Sequence, residues 1–238
     1  QVLRTDAVER AVYKDIPQAF GVHEPVKLER LLYLLAGQLG GILSAGKLAA
    51  DLGLTQPTVD QYLRYLEQAY IVFLLPNYAG SEEAVQRRGR KLFFLDGALR
   101  NAALQRGVGP LRDDGEMGLL RENAVAAHLQ ALAQQSGVRL YHWREGRDEV
   151  DLLLDHPEHP LAFEVASSAS HSLKGLRALQ RRHPRFAGRC YLVHPGAIPA
   201  APERHPSGIG RIPLALLLAT IGLQAEREQK SRLTGGRG

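Results

Sequence analysis

Apolar positions along the chain predict most of its elements. In the first stretch, Val8, Ala11, Val12 and Ile16 fall at helical spacing, and Pro17 is expected to end that helix. Leu28, Leu31, Leu32, Leu35 and Leu39 form one stripe and predict a second helix over 28–39, stopped by Gly40-Gly41. Ser44 is placed to cap a short helix over 45–52, and Gly53 follows where a left-handed residue is wanted. Thr55 caps the next helix, which tolerates Pro57 in its first turn and lines up Val59, Tyr62, Leu63, Leu66 and Tyr70. Short helix, glycine turn and capped second helix make a helix-turn-helix. Residues 71–75 and 91–95 read as strands around a polar loop at 81–90, so a hairpin follows, placed as a wing would be.

A glycine-rich, charged stretch from Gly107 to Gly118 marks a boundary, giving an expected first domain over 1–106 and a second over 107–238. The second begins with a helix over 120–134 carrying Ala124, Val125, His128, Leu129 and Leu132 on one side. Strands are expected at 140–143, 149–154 and 161–165, then a helix over 172–182 and a strand at 190–193. Residues 197–213 are rich in Pro and Gly and suggest an extended surface segment. A short apolar helix over 214–223 and a polar tail complete the chain. The expected class is α+β, a winged helix-turn-helix followed by an α/β domain.

Composition narrows the setting. The 238 residues are 45% hydrophobic, enough for a real core. Cys190 is the sole cysteine, which excludes an internal disulfide and a cysteine zinc site and suits a reducing cytoplasm. The apolar run from Leu214 to Ile221 is too short to span a bilayer, and no signal peptide opens the sequence, so no membrane association is expected. The chain starts with Gln1, which suggests a piece of something longer. A net charge of +5 hints at an anionic partner.

That charge is uneven. The outward face of the second helix of the pair would carry Gln56, Gln61 and Arg64, which can read bases, but also Asp60, which would repel phosphates. The wing carries Arg87, Arg88, Arg90 and Lys91, a cluster suited to gripping DNA through its backbone, with steep salt dependence and little sequence preference. Three other motifs fail. Gly41 to Lys47 has the glycine and lysine spacing of a phosphate-binding loop, but a helix precedes it and Leu48 stands where Ser or Thr would bind magnesium. His156 and His159 flank prolines in a turn with no third ligand nearby. Ser167, Ser168 and Ser170 lie in no Gly-x-Ser-x-Gly elbow.

The carboxylates of the second domain carry more weight. Asp151 and Glu164 sit on successive strands, and pairing of those strands can bring them to one face. Two close carboxylates suit Mg2+ or Mn2+, which could activate water against a phosphodiester. Glu122, on the preceding helix, could be a third.

Asp151 followed by Glu164-Val-Ala, after a helix carrying Glu122, resembles the core of the PD-(D/E)xK nuclease superfamily. That resemblance implies a restriction-endonuclease-like second domain. From about Leu3 to Val193 the chain carries, in order, VERAVYKDIP, LSAGKLAADLGLTQPTVDQYLRYLEQAYIVFLLPNY, KLFFLDGALRN, LLRENAVAAHL, YHWREGRDEVDLLL and AFEVASS. In that order it is similar to the uncharacterised C-terminal domain attached to prokaryotic AAA-type ATPases. The resemblance implies that an ATPase module, with its ATP and Mg2+, precedes this region, and that this chain itself needs no cofactor. It also implies a lysine two residues after the glutamate, where this sequence has Ala166. Alanine can neither position water nor offset phosphate charge. The expected function is therefore a nucleic-acid- or partner-binding module with a degenerate, inactive nuclease-like domain. Two alternatives remain. One is a metal-dependent DNA endonuclease using Glu122, Asp151, Glu164 and a relocated Lys174, with Asp151 and Glu164 as metal ligands. The other is a regulatory module that binds only protein, its own ATPase module, another protein or further copies of itself.

Overall fold

The leucine stripe of the first half is buried in a helical unit. A computed structural model of the chain describes residues 3–87, 89–166, 171–199, 203–204 and 206–235. Wide π-type turns over Leu3–Glu9 and Ala11–Asp15 lead into α1, Ile16–Phe20. Pro17 does not end the helix, because it falls in the first turn of α1, where no intrahelical N–H is missed. In α2, Pro25–Ala36, the residues Leu28, Leu31, Leu32 and Leu35 are buried.

Next come α3, Ala45–Leu52, and α4, Gln56–Gln68, held at their starts by the expected caps. Ser44 Oγ accepts from the Lys47 N–H, and Thr55 Oγ1 accepts from the Thr58 N–H. Gly53, at φ 59, turns the chain between them in a conformation costly for any residue with a Cβ. Val59, Tyr62, Leu63 and Leu66 of α4 are buried.

The hairpin departs from expectation. Strands β1, Val72–Leu75, and β2, Lys91–Phe94, pair antiparallel with Val72 opposite Phe94. All four residues of β2 are buried, so these strands are core rather than a projecting ribbon. The segment between them is no simple polar loop: it contains α5, Glu82–Arg87. The compact units divide accordingly. One holds Gln1–Leu75 with Gly89–Ala124, and the other holds Pro76–Arg88 with Val125–Gly238. The expected single boundary at 106/107 does not describe that division. In the first unit, Asp96 Oδ1 caps α6, Gly97–Ala103, by accepting from the Ala98 N–H. Arg100 of α6 is 2% exposed, donates to the Ala36 carbonyl, and pairs with Glu116.

Helix α7 spans Asp114–Ser136, starting earlier than expected because Gly115 and Gly118 are absorbed into it. His128, expected on its apolar side, is exposed. The strands β3, Arg139–Glu145, β4, Asp148–Asp155, and β5, Leu161–Val165, form an antiparallel meander. Helix α8, Lys174–Arg182, then crosses to β6, Cys190–His194, which runs parallel to β5. Among the described residues two further strands extend this sheet where only a surface segment was expected: β7, Glu203–Arg204, and β8, Gly210–Pro213. The order is β3-β4-β5-β6-β8-β7. The closing helix α9, Leu214–Gly235, runs well past the expected end at 223.

The core of this unit gathers Trp143, Val150, Leu153, Leu176, Leu179, Phe186 and Cys190, and it includes Val85 of α5. The stretch before α5 lies along β3. Tyr78 N–H donates to the His142 carbonyl, and His142 N–H donates to the Pro76 carbonyl. The Asn77 amide brackets the Arg144 backbone, donating to its carbonyl and accepting from its N–H. The stretch leading into the expected loop is thereby tied to β3 of the second unit.

Candidate functional site

Strands β4 and β5 bring together the two carboxylates singled out in the sequence. Their ladder pairs Leu152 with Phe163, and Asp151 and Glu164 are the next residues beyond that pair on the two strands. Opposite residues of an antiparallel pair share a face. Asp151 Oδ2 accepts from the Val165 N–H at 2.9 Å, which ties the two strands together at this point. Glu164 Oε1 lies 3.0 Å from Nε2 of His171, with the two side chains only 15% and 26% exposed. The hydrogen bond to Glu164 holds the His171 pKa above its ordinary range. Burial opposes that shift, and the charges of Glu164 and Asp151 reinforce it. The site is thus two carboxylates closed by an imidazole that favours its charged form. Sequence pattern does not single out His171, since its Ser- and Ala-rich surroundings show no periodicity.

The other expected members of this site lie elsewhere. Position 166 shares the face of Glu164 by strand alternation, and Ala166 there is 1% exposed and brings no polar group. Lys174 Nζ sits 3.2 Å from Asp148 Oδ1, and among the described residues its ion pair is with Asp148 rather than Asp151 or Glu164. Glu122 belongs to the other compact unit, where its Oε1 lies 3.1 Å from Lys91 Nζ.

Gly175 explains how α8 comes so close to β4. A Cβ on Gly175 would stand 1.9 Å from the Glu149 carbonyl oxygen, so only glycine fits there. That close approach places the start of α8, and with it Lys174, over Asp148.

A hard divalent ion takes six or more oxygen ligands. Asp151 has one oxygen engaged by Val165, and Glu164 has one engaged by His171. Among the described residues no group of three or more His, Cys, Asp or Glu is arranged to hold a metal. A Mg2+ or Mn2+ held by this pair would take the rest of its shell from water or substrate oxygens.

Two members of the basic cluster expected at the wing, Arg90 and Lys91, are engaged with acids. Lys91 is 4% exposed and bonded to Glu122, so it is no surface contact. Arg90 lies 3.7 Å from Asp60, which cancels the acid expected to repel phosphates and uses up the arginine expected to grip them. The side chains of Arg87 and Arg88 lie outside the described residues. On α4, Gln56, Gln61 and Arg64 are exposed, with Gln61 Nε2 donating to Tyr65 Oη at 2.5 Å. Tyr65 stacks on Phe20, ring centroids 4.3 Å apart, so α1 covers part of α4.

The turn histidines serve the turn: His156 Nδ1 accepts from the N–H groups of Glu158 and His159. The serines at 167, 168 and 170 lie outside the described residues. No helix among the described residues is long and apolar enough to cross a membrane.

Residues 1–108 match a family described as a domain of unknown function, DUF8612, and residues 117–214 match a second, DUF4143. The uncharacterized protein MJ1637 of Methanocaldococcus jannaschii is 28% identical over 177 residues, which is 73% of this chain and 37% of that protein. The chain therefore spans little more than a third of that relative's length. No solved structure matches it.

Proposed function

We propose that this chain is the C-terminal region of an AAA-type ATPase, and that it binds nucleic acid through a nuclease-like domain that does not cut. The arrangement at Asp151 and Glu164 carries the proposal. A helix, α7, precedes the meander of β3 to β5, and Asp151 and Glu164 lie on its neighbouring strands β4 and β5, which supports the nuclease-like reading. The cation that hydrolysis needs is not beside them, because Ala166 takes its position and Lys174 is held by Asp148. His171 supplies positive charge instead, but its Nε2 is committed to Glu164, so it is not poised to position an attacking water.

Two further observations support the reading. The capped pair α3 and α4 has the form of a helix-turn-helix, with Gln56, Gln61 and Arg64 outward. The relative from Methanocaldococcus jannaschii is long enough to hold a further module beside the matched part. In this account ATP hydrolysis belongs to that further module, and the present chain recognises the nucleic acid.

The test is fluorescence anisotropy of the full chain with a labelled DNA duplex, at low and high salt. The proposal expects binding that weakens as salt rises. A chain that ignores DNA at low salt yet forms a stable complex with an ATPase fragment would point instead to a purely protein-binding module.

A further inference from the structure

Between Lys174 and Arg189 the chain carries Lys174, Arg177, Arg181, Arg182, Arg185 and Arg189, and no Asp or Glu. This stretch forms α8 and the turn after it, with Leu176, Ala178 and Leu179 buried against the sheet. The cations divide into two sets. Lys174 and Arg182 hold Asp148 at 3.2 and 3.4 Å, Arg182 also reaches Glu145 at 3.7 Å, and Arg185 holds Asp155 at 2.8 Å. These pairs neutralise the acids that border the helix. Arg189 donates to His159 Nδ1 at 3.2 Å. Arg177 and Arg181 remain, both exposed, four residues apart and so on one face of α8. Among the described residues neither makes an ion pair or hydrogen bond.

We infer that the exposed face of α8, centred on Arg177 and Arg181, docks the phosphate backbone of a nucleic acid. The inference rests on the nucleic-acid reading above and moves the contact from the wing to the second unit. Charge complementarity argues for it. The bordering acids are already paired, so a phosphate chain meets a net positive surface rather than a mixed one. Both free cations are arginines, whose planar guanidinium matches phosphate oxygens two at a time. A surface whose contacts go to phosphate oxygens binds with little sequence preference. The wing, by comparison, has Arg90 beside Asp60 and Lys91 buried on Glu122.

The experiment titrates the full chain against three fluorescein-labelled probes: a 20-base-pair duplex, a 20-nucleotide single strand and a poly-glutamate peptide. It is repeated with Arg177→Gln/Arg181→Gln and with Arg64→Gln, after circular dichroism shows each variant folded. The inference expects the α8 variant to lose affinity for duplex or single strand regardless of sequence. Its log K against log salt slope should flatten by about 2 on duplex, roughly 0.9 for each phosphate no longer neutralised. If the wild type binds DNA and the α8 variant binds it equally well, the inference is overturned while the nucleic-acid reading stands. If the wild type binds neither DNA probe, both fall. Binding of poly-glutamate alone, abolished in the α8 variant, would also overturn the inference and make the surface a protein-docking one.

Discussion

His171 Nε2 stands 3.0 Å from Glu164 Oε1, and the charge of Asp151 on the neighbouring strand acts on the same imidazole. The imidazole therefore meets the carboxylate pair as a counter-charge. The hydrogen bond from His171 raises the pKa of the ring above its ordinary 6.5. A histidine with a raised folded-state pKa adds stability that is fully present below 6.5 and is lost as pH rises through the folded value. Proton NMR titration of metal-free protein should show His171 titrating above the ordinary 6.5 of an imidazole. In Glu164→Gln the His171 midpoint should fall. An unchanged midpoint would remove Glu164 as the cause.

Gly175→Ala should destabilise the second unit. Helix-interior glycine to alanine ordinarily gains about 1 kcal/mol. Here the added Cβ would stand 1.9 Å from the Glu149 carbonyl oxygen, and backbone cannot yield as a side-chain tip can. A net loss of about 1–3 kcal/mol is expected, as for overpacking. Thermal melting reads it, and a raised Tm would show that α8 does not lie so close to β4.

Glu116→Ala should cost about 3–5 kcal/mol, because it leaves the guanidinium of Arg100, 2% exposed, without its carboxylate. The same pair sets a pH dependence. Hydrogen bonding to Arg100 holds Glu116 below its ordinary 4.5. Its contribution is present above 4.5 and is lost as pH falls through the lower folded value. Urea unfolding at pH 7 and pH 3 should show a smaller gap between wild type and Glu116→Ala at the acid end.

Cys190 should be inert in the folded chain. Burial pushes its thiol up to about 12, and the thiolate is the reactive form. A thiol-disulfide reagent should label it slowly in buffer and rapidly in denaturant. Fast labelling of native protein would mean that the core around Phe186 opens readily.

Much of this was legible in the sequence for local reasons. The leucine stripe of α2 and the caps Ser44 and Thr55 act within a few residues, so pattern and chemistry agree. The placing of Asp151 and Glu164 on neighbouring strands followed from a tight turn between them. The failures are non-local. The stretch 81–90 is polar and reads as a loop, but Val85 within it is buried with Trp143, and Asn77 just before it is bracketed to Arg144. Lys91 looked like the end of a basic cluster, and only the approach of Glu122 shows that it is internal. Lys174 and His171 lie three residues apart, yet the first turns to Asp148 and the second to Glu164, a choice set by how Gly175 seats α8. The basic run of α8 was visible in the sequence as charge. Which of its arginines are free depends on acids drawn from β3 and β4.

The central claim is that the domain binds nucleic acid without hydrolysing it. The most direct test is a denaturing gel of end-labelled duplex DNA, incubated with saturating full chain and either Mg2+ or Mn2+. The strand should stay intact, as it does with Asp151→Asn. Cleavage by the wild type that disappears in Asp151→Asn would contradict the claim and show that the carboxylate pair, without a lysine at position 166, still works as a nuclease.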